Sequence, residues 1–243
     1  MPKNKCKGPA LAIAATPLPM AASANAQELP QINLSKSGAP VTIANNFSLT
    51  TSGKNAPNYG TQVSLSYDTK TQSLNINFTN QNDPHIKQNQ YVENNTKMWN
   101  QEVFEMFITA ETGTPKHYVE IEINPNNALF SALVFNKNGK GTENSLLYLD
   151  SVANAITHSI TSKTENSWSG VINFPLSILG APSKKYQINF FRVVSLETHN
   201  IDATNFWECT NTSCAYLAWN PTLSGATPAF HLPKYFGRLN IVD

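Results

Sequence analysis

The chain has 243 residues, of which 17 are basic and 16 acidic, and charged residues make up only 14% of the sequence. This balance lacks the basic excess that binding to nucleic acid or to an anionic membrane surface requires. Beyond the N-terminal region, no stretch has the apolar length of a membrane span. The composition therefore favours a soluble protein, with no nucleic-acid partner, whose polarity comes from Asn, Ser, Thr and Gln.

Residues 1–26 have the features of a secretory signal peptide. Three lysines form a basic start, PALAIAATPLPMAA is mildly apolar, and Ala24-Asn25-Ala26 supplies the small residues of a cleavage site. Pro17 and Pro19 weaken the apolar stretch, so a disordered or engineered leader is the alternative. We expect cleavage to release a secreted domain of residues 27–243.

The cysteines and sequons fit an exported protein. Cleavage would remove Cys6 and leave Cys209 and Cys214 in ECTNTSC. An even count in an oxidising compartment favours a disulfide between them, and a lone C-x4-C is poor support for zinc. Some N-x-S/T triplets permit glycosylation, although an Asn-rich sequence also produces them by chance. These triplets begin at Asn33, Asn46, Asn77, Asn94 and Asn211.

Short segments in which apolar and polar residues alternate follow one another along the mature chain, and almost no segment has the apolar periodicity of a helix. In chain order they are TQVSLSYD, SLNINFTN, EVFEMFITA, HYVEIEINP, ALFSALVFN, SITSKT, SWSGVINFP and INFFRVVS. The intervening YDTKTQ, NKNGKGTEN and KTENSW have turn chemistry, and only Pro175 to Gly180 indicates a helical turn. The pattern predicts an all-β fold, an antiparallel β-sandwich, with at most short helical turns.

Successive side chains of a strand point to opposite faces, so the sequence assigns each side chain of these strands to one face. In HYVEIEI it predicts a core row of Val and Ile, and a polar surface formed by Tyr118, Glu120 and Glu122. In the preceding strand the predicted core row is Phe104, Met106 and Ile108. Glu105 therefore lies on the opposite face of that strand.

Trp99 and Glu105 are the first candidates for a ligand site. A tryptophan most often closes one end of a core, but an indole among amides is also what the apolar face of a pyranose stacks on. Glu105 could pair with a lysine or with Arg192, or it could bind a ligand. It could also form the acid pair of a glycosidase with Glu120 or Glu122, which is the less favoured alternative because alternating glutamates are common on solvated strands.

Further candidates lie toward the C terminus. Arg192 interrupts the apolar run INFFRVVS, and a buried guanidinium needs an acidic or ligand partner. Trp219 and the pair Phe230-His231 lie in an aromatic region rich in proline. A terminal strand packed into the core is the alternative for this region, but an irregular loop makes Phe230 and His231 better ligand candidates.

WNQEVFEMFI, WNPT and FHLPKYFG, in this order, resemble the family 9 carbohydrate-binding modules and their DOMON-like relatives. The resemblance covers roughly residues 99–242. It implies a β-sandwich that holds terminal sugar units of glucans or xylans between two aromatic side chains while polar residues bind the hydroxyl groups. Trp99 matches the first aromatic residue and Glu105 the carboxylate. The second aromatic residue falls at Phe230, where the better-known modules have Trp.

We therefore expect a secreted, non-catalytic domain that clamps a sugar unit of a poly- or oligosaccharide and needs no cofactor. Its predicted ligand-binding residues are Trp99, Glu105, Arg192, Trp219, Phe230 and His231. The relatives also include haem-binding electron carriers, so haem ligation by Met and His is an alternative. The residues of these types are Met98, Met106, His117, His158 and His231. A structural or adhesive surface protein is a further alternative, and calcium binding is also left open, because the acidic residues in the loops show no ligand spacing that decides it.

Overall fold

The computed structural model describes residues 28–36, 39–43, 47–56, 58–148 and 150–243. The expected signal peptide and the sequon at Asn46 lie outside the described residues. Within them the chain forms fourteen strands, one α-helix and four short 3-10 helices. No helix in these ranges combines the length and apolar character that crossing a membrane demands.

The strands are β1 (Gln31–Ser35), β2 (Val41–Ile43), β3 (Ser48–Leu49), β4 (Thr61–Asp68), β5 (Ser73–Gln81), β6 (Val103–Thr109), β7 (His117–Ile123), β8 (Leu129–Asn136), β9 (Asn144–Tyr148), β10 (Thr157–Lys163), β11 (Ser167–Pro175), β12 (Lys185–Ser195), β13 (Cys214–Ala218) and β14 (Gly237–Val242). The α-helix is α1 (Asp150–Ala155), and the 3-10 helices are Ile86–Gln88, Met98–Asn100, Leu176–Leu179 and Pro233–Tyr235. The helical turn expected after Pro175 is confirmed.

Two sheets pack face to face. The larger sheet has the order β1-β14-β12-β6-β7-β8-β9, with β13 beside β12 and β3 beside β13, and the smaller has the order β10-β11-β5-β4-β2. Among the described strands, β1 and β14 pair in parallel and the other named pairs are antiparallel. The predicted all-β sandwich is confirmed, with one parallel pair that the sequence did not indicate.

The main core lies between the two sheets. Phe104 of β6 stacks on Phe78 of β5 with ring centroids 4.2 Å apart, and Trp168 of β11 meets Phe78 edge-on at 5.2 Å. Met106 and Ile108 are fully buried in the same cluster, which confirms the predicted core row of β6. Burying a side chain of this size stabilises the fold by about 1.5–3 kcal/mol, so this row anchors β6 firmly.

The opposite face of the larger sheet is also buried, and here the prediction from the sequence was wrong. Tyr118, Glu120 and Glu122 of β7 were expected on a polar surface, but all are buried. Chain segments before β6 and after β12 fold over this face and add Tyr91, Trp207 and Phe236 to its apolar clusters. Period two separates the faces of a strand, but only distant segments decide whether the second face meets solvent.

Candidate ligand-binding site

A pocket of about 440 Å³ opens on this covered face of the larger sheet. It brings together four of the residues expected to bind a ligand: Trp99, Glu105, Phe230 and His231. The rest of its lining consists of Glu120, Gly141, Leu146, Val193, Tyr216, Pro228 and Ala229. Side chains from well-separated parts of the chain therefore share one cavity of the size that small ligands occupy.

Trp99 is held at the pocket by the 3-10 helix Met98–Asn100. The Gln101 amide donates to the Met98 carbonyl at 2.9 Å, and the Cys209 amide donates to the Asn100 carbonyl at 2.7 Å. Cys209 and Cys214 form a disulfide, as expected, and both pack in the apolar cluster beside Trp99. The indole meets the buried ring of Phe130 edge-on at 5.1 Å, so the Trp99 ring has a defined place at the pocket wall.

Carboxyl groups form the polar part of the pocket floor. Glu105 of β6 lies directly opposite Glu122 of β7, and Glu120 lies on the same face two residues along. Their ligand oxygens are within 4.8 Å of one another. Burial raises the pKa of Glu120 to about 8, and burial together with the neighbouring carboxyls raises those of Glu105 and Glu122 well above the usual range. The protonated forms are therefore favoured at neutral pH.

The protonated carboxyls set what this floor can do chemically. Glu105 and Glu120 line the pocket, whereas Glu122 lies outside the lining and both of its buried oxygens have no hydrogen-bond partner among the described residues. A neutral carboxyl both donates and accepts, whereas a carboxylate only accepts. Such a floor suits hydroxyl groups, which also donate and accept.

Among the described residues, one group of carboxyls has its oxygens close enough together to hold a metal ion. It consists of Glu105, Glu120 and Glu122. An all-oxygen set of this kind suits a hard cation such as Ca²⁺ or Mg²⁺. Such a cation requires ionised carboxylates and must compete with protons that are bound tightly here. A glycosidase also needs one of its two carboxyls ionised. Neutral hydrogen bonding is the chemistry that this environment favours most.

His231 adds a donor of defined orientation to the pocket wall. Asn136 Nδ2 donates to the Tyr118 oxygen at 3.4 Å, and that hydroxyl lies 2.7 Å from His231 Nδ1. Burial lowers the pKa of His231 to about 4, so the ring is neutral near pH 7. Because the Tyr118 oxygen accepts from Asn136, we assign its proton to the bond with Nδ1, which leaves the ring proton on Nε2.

The hairpin between β8 and β9 closes the pocket on one side. Gly141 has φ +74°, and a Cβ there would lie 2.8 Å from the carbonyl oxygen of His231. The Gly141 amide donates to Asn136 Oδ1 at 3.2 Å, and Asn136 Nδ2 donates to the His231 carbonyl at 3.0 Å. A glycine is required because any side chain would be strained and would collide with the backbone that carries His231.

Arg192 is not at this pocket, which corrects the expectation that it contacts the same ligand as Glu105. In the register of β12 with β6, Arg192 lies opposite Phe104 and so projects toward the other sheet, whereas Phe191 lies opposite Glu105. Its side chain is 0% exposed, pairs with Asp83 at 3.4 Å and donates to the Gly60 and Gln81 carbonyls. The acidic partner that burial demands is therefore Asp83, and the alternative ion pair with Glu105 does not form.

Trp219, which was also predicted to bind the ligand, lies outside this pocket. Its indole packs over Gly237 of β14, where a Cβ would come within 2.5 Å of Cζ3. It is partly buried against the main core, with its ring 6.1 Å from that of Phe190. Trp219 therefore helps to close one end of the sandwich.

The sequence interpretation missed Tyr216 and Leu146 and considered Glu120 only as a catalytic acid. Tyr216 reaches the pocket because β13 pairs with β12 so that Tyr216 lies opposite Val193. Leu146 reaches it because β9 pairs with β8. Neither pairing has a signal in the local sequence. The nearest clue was the cysteine pair, since Tyr216 follows Cys214 by two residues in the same strand.

Haem ligation, the alternative function, requires a Met and a His side chain close together, and no such pair of described residues meets at this pocket. His231 is part of the lining, but the described residues that line the pocket include no methionine. Met98 and Met106 are fully buried in two separate apolar clusters. His117 pairs with Glu111, and His158 contacts Asn127.

A larger groove of about 810 Å³ lies at the opposite edge of the same sheet, along β1, β14 and β12. Its lining is mainly polar and charged, and its one aromatic residue, Tyr186, is buried. It lacks the combination of accessible rings and convergent polar groups found around Trp99. The smaller pocket is therefore the better candidate for a ligand site.

Residues 49–241 match the model of a family described as carbohydrate-binding family 9. An "Extracellular protein" of Arthroderma benhamiae is 28% identical over 191 residues, which are 75% of this chain and 78% of that protein. A candidate carbohydrate-binding protein of Bacteroides uniformis has a similar fold, with a TM-score of 0.59 and 13% identity over 88% of this chain and 100% of its own. A family 9 carbohydrate-binding module of Caldicellulosiruptor kristjanssonii in complex with glucose gives a TM-score of 0.49 and 12% identity over 87% of this chain and 95% of that chain.

Proposed function

The chain belongs to carbohydrate-binding family 9, and from this premise we propose that the pocket around Trp99 and Glu105 binds one sugar unit of a poly- or oligosaccharide. The observation that carries the proposal is the convergence of Trp99, Glu105, Phe230 and His231 on one pocket. These residues supply rings for the apolar face of a pyranose and polar groups for its hydroxyls.

The two rings act as walls against which the sugar stacks. Phe230 is stacked on the buried ring of Phe191 with centroids 4.3 Å apart, and Trp99 is held edge-on by Phe130. Both rings are thus ordered before a ligand arrives, which reduces the entropy lost on binding. Each stacking contact contributes about 0.5–1.5 kcal/mol. The phenyl ring of Phe230 offers less stacking area than an indole would.

The polar contacts come from Glu105, Glu120 and His231. The two carboxyls have raised pKa values and can each donate and accept a hydrogen bond. His231 Nε2 provides a donor from a neutral ring. Neutral hydrogen bonds contribute about 0.5–1.5 kcal/mol each, so the combined affinity for a single unit is modest. The binding requires no bond-making step, metal ion or organic cofactor, and we propose a non-catalytic domain.

We also propose that the protein is secreted as residues 27–243 after removal of residues 1–26. The lysine-rich start and the Ala24-Asn25-Ala26 site support cleavage, and the disulfide between Cys209 and Cys214 suits an oxidising compartment. The name of the Arthroderma relative agrees with this location. N-terminal sequencing of protein recovered from the medium tests the proposal, since a chain that retains Met1 inside the cell would contradict it.

Binding of the secreted protein to a glycan array tests the sugar site. We expect hits among glucans or xylans that Trp99→Ala weakens by about tenfold or more. Trp219→Phe is the matched control, because Trp219 is a partly buried tryptophan that lies outside the pocket. Absence of any sugar hit, or equal binding by Trp99→Ala and wild type, would refute the proposed site.

A further inference from the structure

An exposed aromatic residue lies beside the pocket on β9, the edge strand of the larger sheet. Tyr148 is 48% exposed and Leu146 is 37% exposed, although both are large hydrophobic side chains. Leu146 itself lines the pocket. Side chains two residues apart on a strand point to the same face, so Tyr148 extends the surface that Leu146 begins.

The strand register connects this surface with the pocket floor. Glu120 of β7 lies opposite Ala132 of β8, and Ala132 lies opposite Tyr148 of β9. These side chains form one row across the sheet on a single face. The Ala132 side chain is short, so no large group in this row separates the Glu120 carboxyl from the Tyr148 ring.

A buried ring fixes Tyr148 relative to the proposed sugar platform. Tyr148 meets Phe130 edge-on with centroids 5.5 Å apart, and Phe130 meets Trp99 edge-on at 5.1 Å. Phe130 is fully buried. Both accessible rings therefore contact the same buried ring, which orders Tyr148 despite its exposure.

Polar groups lie at the far end of β9, as a sugar subsite requires. Asn95 Nδ2 donates to Asp150 Oδ1 at 3.3 Å, while Asn95 Oδ1 accepts from the Ser131 amide at 3.1 Å. Asp150 is exposed and follows Tyr148 by two residues. A ring next to an amide and a carboxylate offers stacking for a pyranose and hydrogen bonds for its hydroxyls.

We propose that Tyr148 is the platform of a second subsite, which binds the neighbouring unit of a glucan or xylan chain whose first unit occupies the pocket. This inference rests on the proposed function and refines it. The ligand is an oligosaccharide, because a subsite for a neighbouring unit requires at least two linked sugar units.

Calorimetric titration of the secreted protein measures the effect of chain length. The probes are glucose with cello-oligosaccharides of two to four units, and xylose with the matching xylo-oligosaccharides. For the series that binds, we expect wild-type affinity to rise with length. Tyr148→Ala should lower affinity for the longest oligosaccharide by about two- to tenfold, the effect of one stacking contact, and leave the monosaccharide affinity unchanged.

Two control variants separate the ring from other effects. Tyr148→Phe keeps the ring and should retain most of the length dependence. Leu147→Ala removes a neighbouring side chain that is 50% exposed and points to the other face of β9, so it should not change affinity for any probe. Circular dichroism of each variant verifies that the fold is intact. Sedimentation measures whether copies of the chain associate through β9.

The outcomes that refute the subsite differ from those that refute the pocket. Wild-type affinity that is independent of length, or a Tyr148→Ala effect that is equal for monosaccharide and oligosaccharide, overturns the subsite alone. A Tyr148→Ala effect on sedimentation without an effect on affinity also overturns it, in favour of a protein contact. Failure of every probe to bind refutes the pocket for these sugars, and the subsite with it.

Discussion

Glu105 of β6 and Glu122 of β7 lie directly opposite each other in the antiparallel ladder, and both carboxyls are buried. Like charges in this position destabilise a sheet. Burial, followed by the charge of neighbouring carboxyls, raises the pKa of both groups, so protonation removes the repulsion. Buried protons are thus part of the folded state of this pocket.

The stability of the protein should therefore fall as the pH rises from about 5 to about 8. The folded pKa of Glu120 is about 8 against a reference of 4.5, so the folded state retains a proton that the unfolded chain releases in this window. Stabilisation from such a group is complete below the unfolded pKa and is lost as pH passes the folded one, at up to about 1.4 kcal/mol per pH unit for each proton.

Glu122→Gln tests this dependence, because an amide has a similar shape and needs no proton. We expect the variant to be more stable than wild type at pH 8 and to show a shallower pH dependence in urea unfolding. Some slope should remain, since burial also raises the pKa of Glu102 to about 8. Identical pH dependence in the two proteins would show that these carboxyls do not retain protons on folding.

The raised pKa of Glu105 has a consequence for sugar affinity that substitutions can test. A protonated carboxyl and an amide both donate and accept, so Glu105→Gln should bind sugar within about threefold of wild type, whereas Glu105→Ala should bind about tenfold more weakly or worse. Titration calorimetry at neutral pH gives both values. If Glu105→Gln loses as much affinity as Glu105→Ala, the ionised carboxylate is the form that contacts the sugar.

The same preparations test for catalysis. We expect no release of reducing sugar from glucans or xylans by wild-type protein, even over long incubations. Hydrolysis that Glu105→Gln abolishes, while sugar binding persists, would contradict a non-catalytic domain.

Arg192→Met should destabilise the fold by about 3–5 kcal/mol without affecting sugar affinity of the folded protein. The substitution leaves Asp83 without its cationic partner between the sheets and removes donors to two backbone carbonyls. Adding Asp83→Asn should recover part of the loss. Urea unfolding and calorimetry below the unfolding temperature provide the two measurements. Unchanged stability together with lost sugar binding would instead indicate that Arg192 contacts the sugar.

Replacing both Cys209 and Cys214 by serine should lower stability by about 2 kcal/mol, the value expected for a short closed loop. The Cys209 amide holds the Asn100 carbonyl next to Trp99, so a looser loop should also weaken sugar binding. We expect an affinity between those of wild type and Trp99→Ala. Thermal unfolding and titration of the double variant provide the measurements, and an affinity equal to wild type would show that the disulfide does not order the Trp99 segment.

Much of the fold follows from the sequence because it depends on local pattern. Alternation over EVFEMFITA and HYVEIEINP is enough to predict two strands and the core rows they place between the sheets. The short spacing of Cys209 and Cys214 is enough to favour their disulfide. Trp99, Glu105 and Phe230 became ligand candidates through motifs, and each motif is a local feature.

The tertiary structure decided which of these features meet. Arg192 and Phe191 are adjacent in the sequence, yet the register of β12 with β6 directs the first into the sandwich and places the second beside Glu105. Trp219 and Phe230 both follow β13, but only Phe230 reaches the pocket. The sequence by itself determined strands β4–β8 and β10–β12, the core row of β6 and the chemistry available for a sugar. The register and the segments that fold over the larger sheet decided the site, because pairing and burial depend on residues distant in the chain.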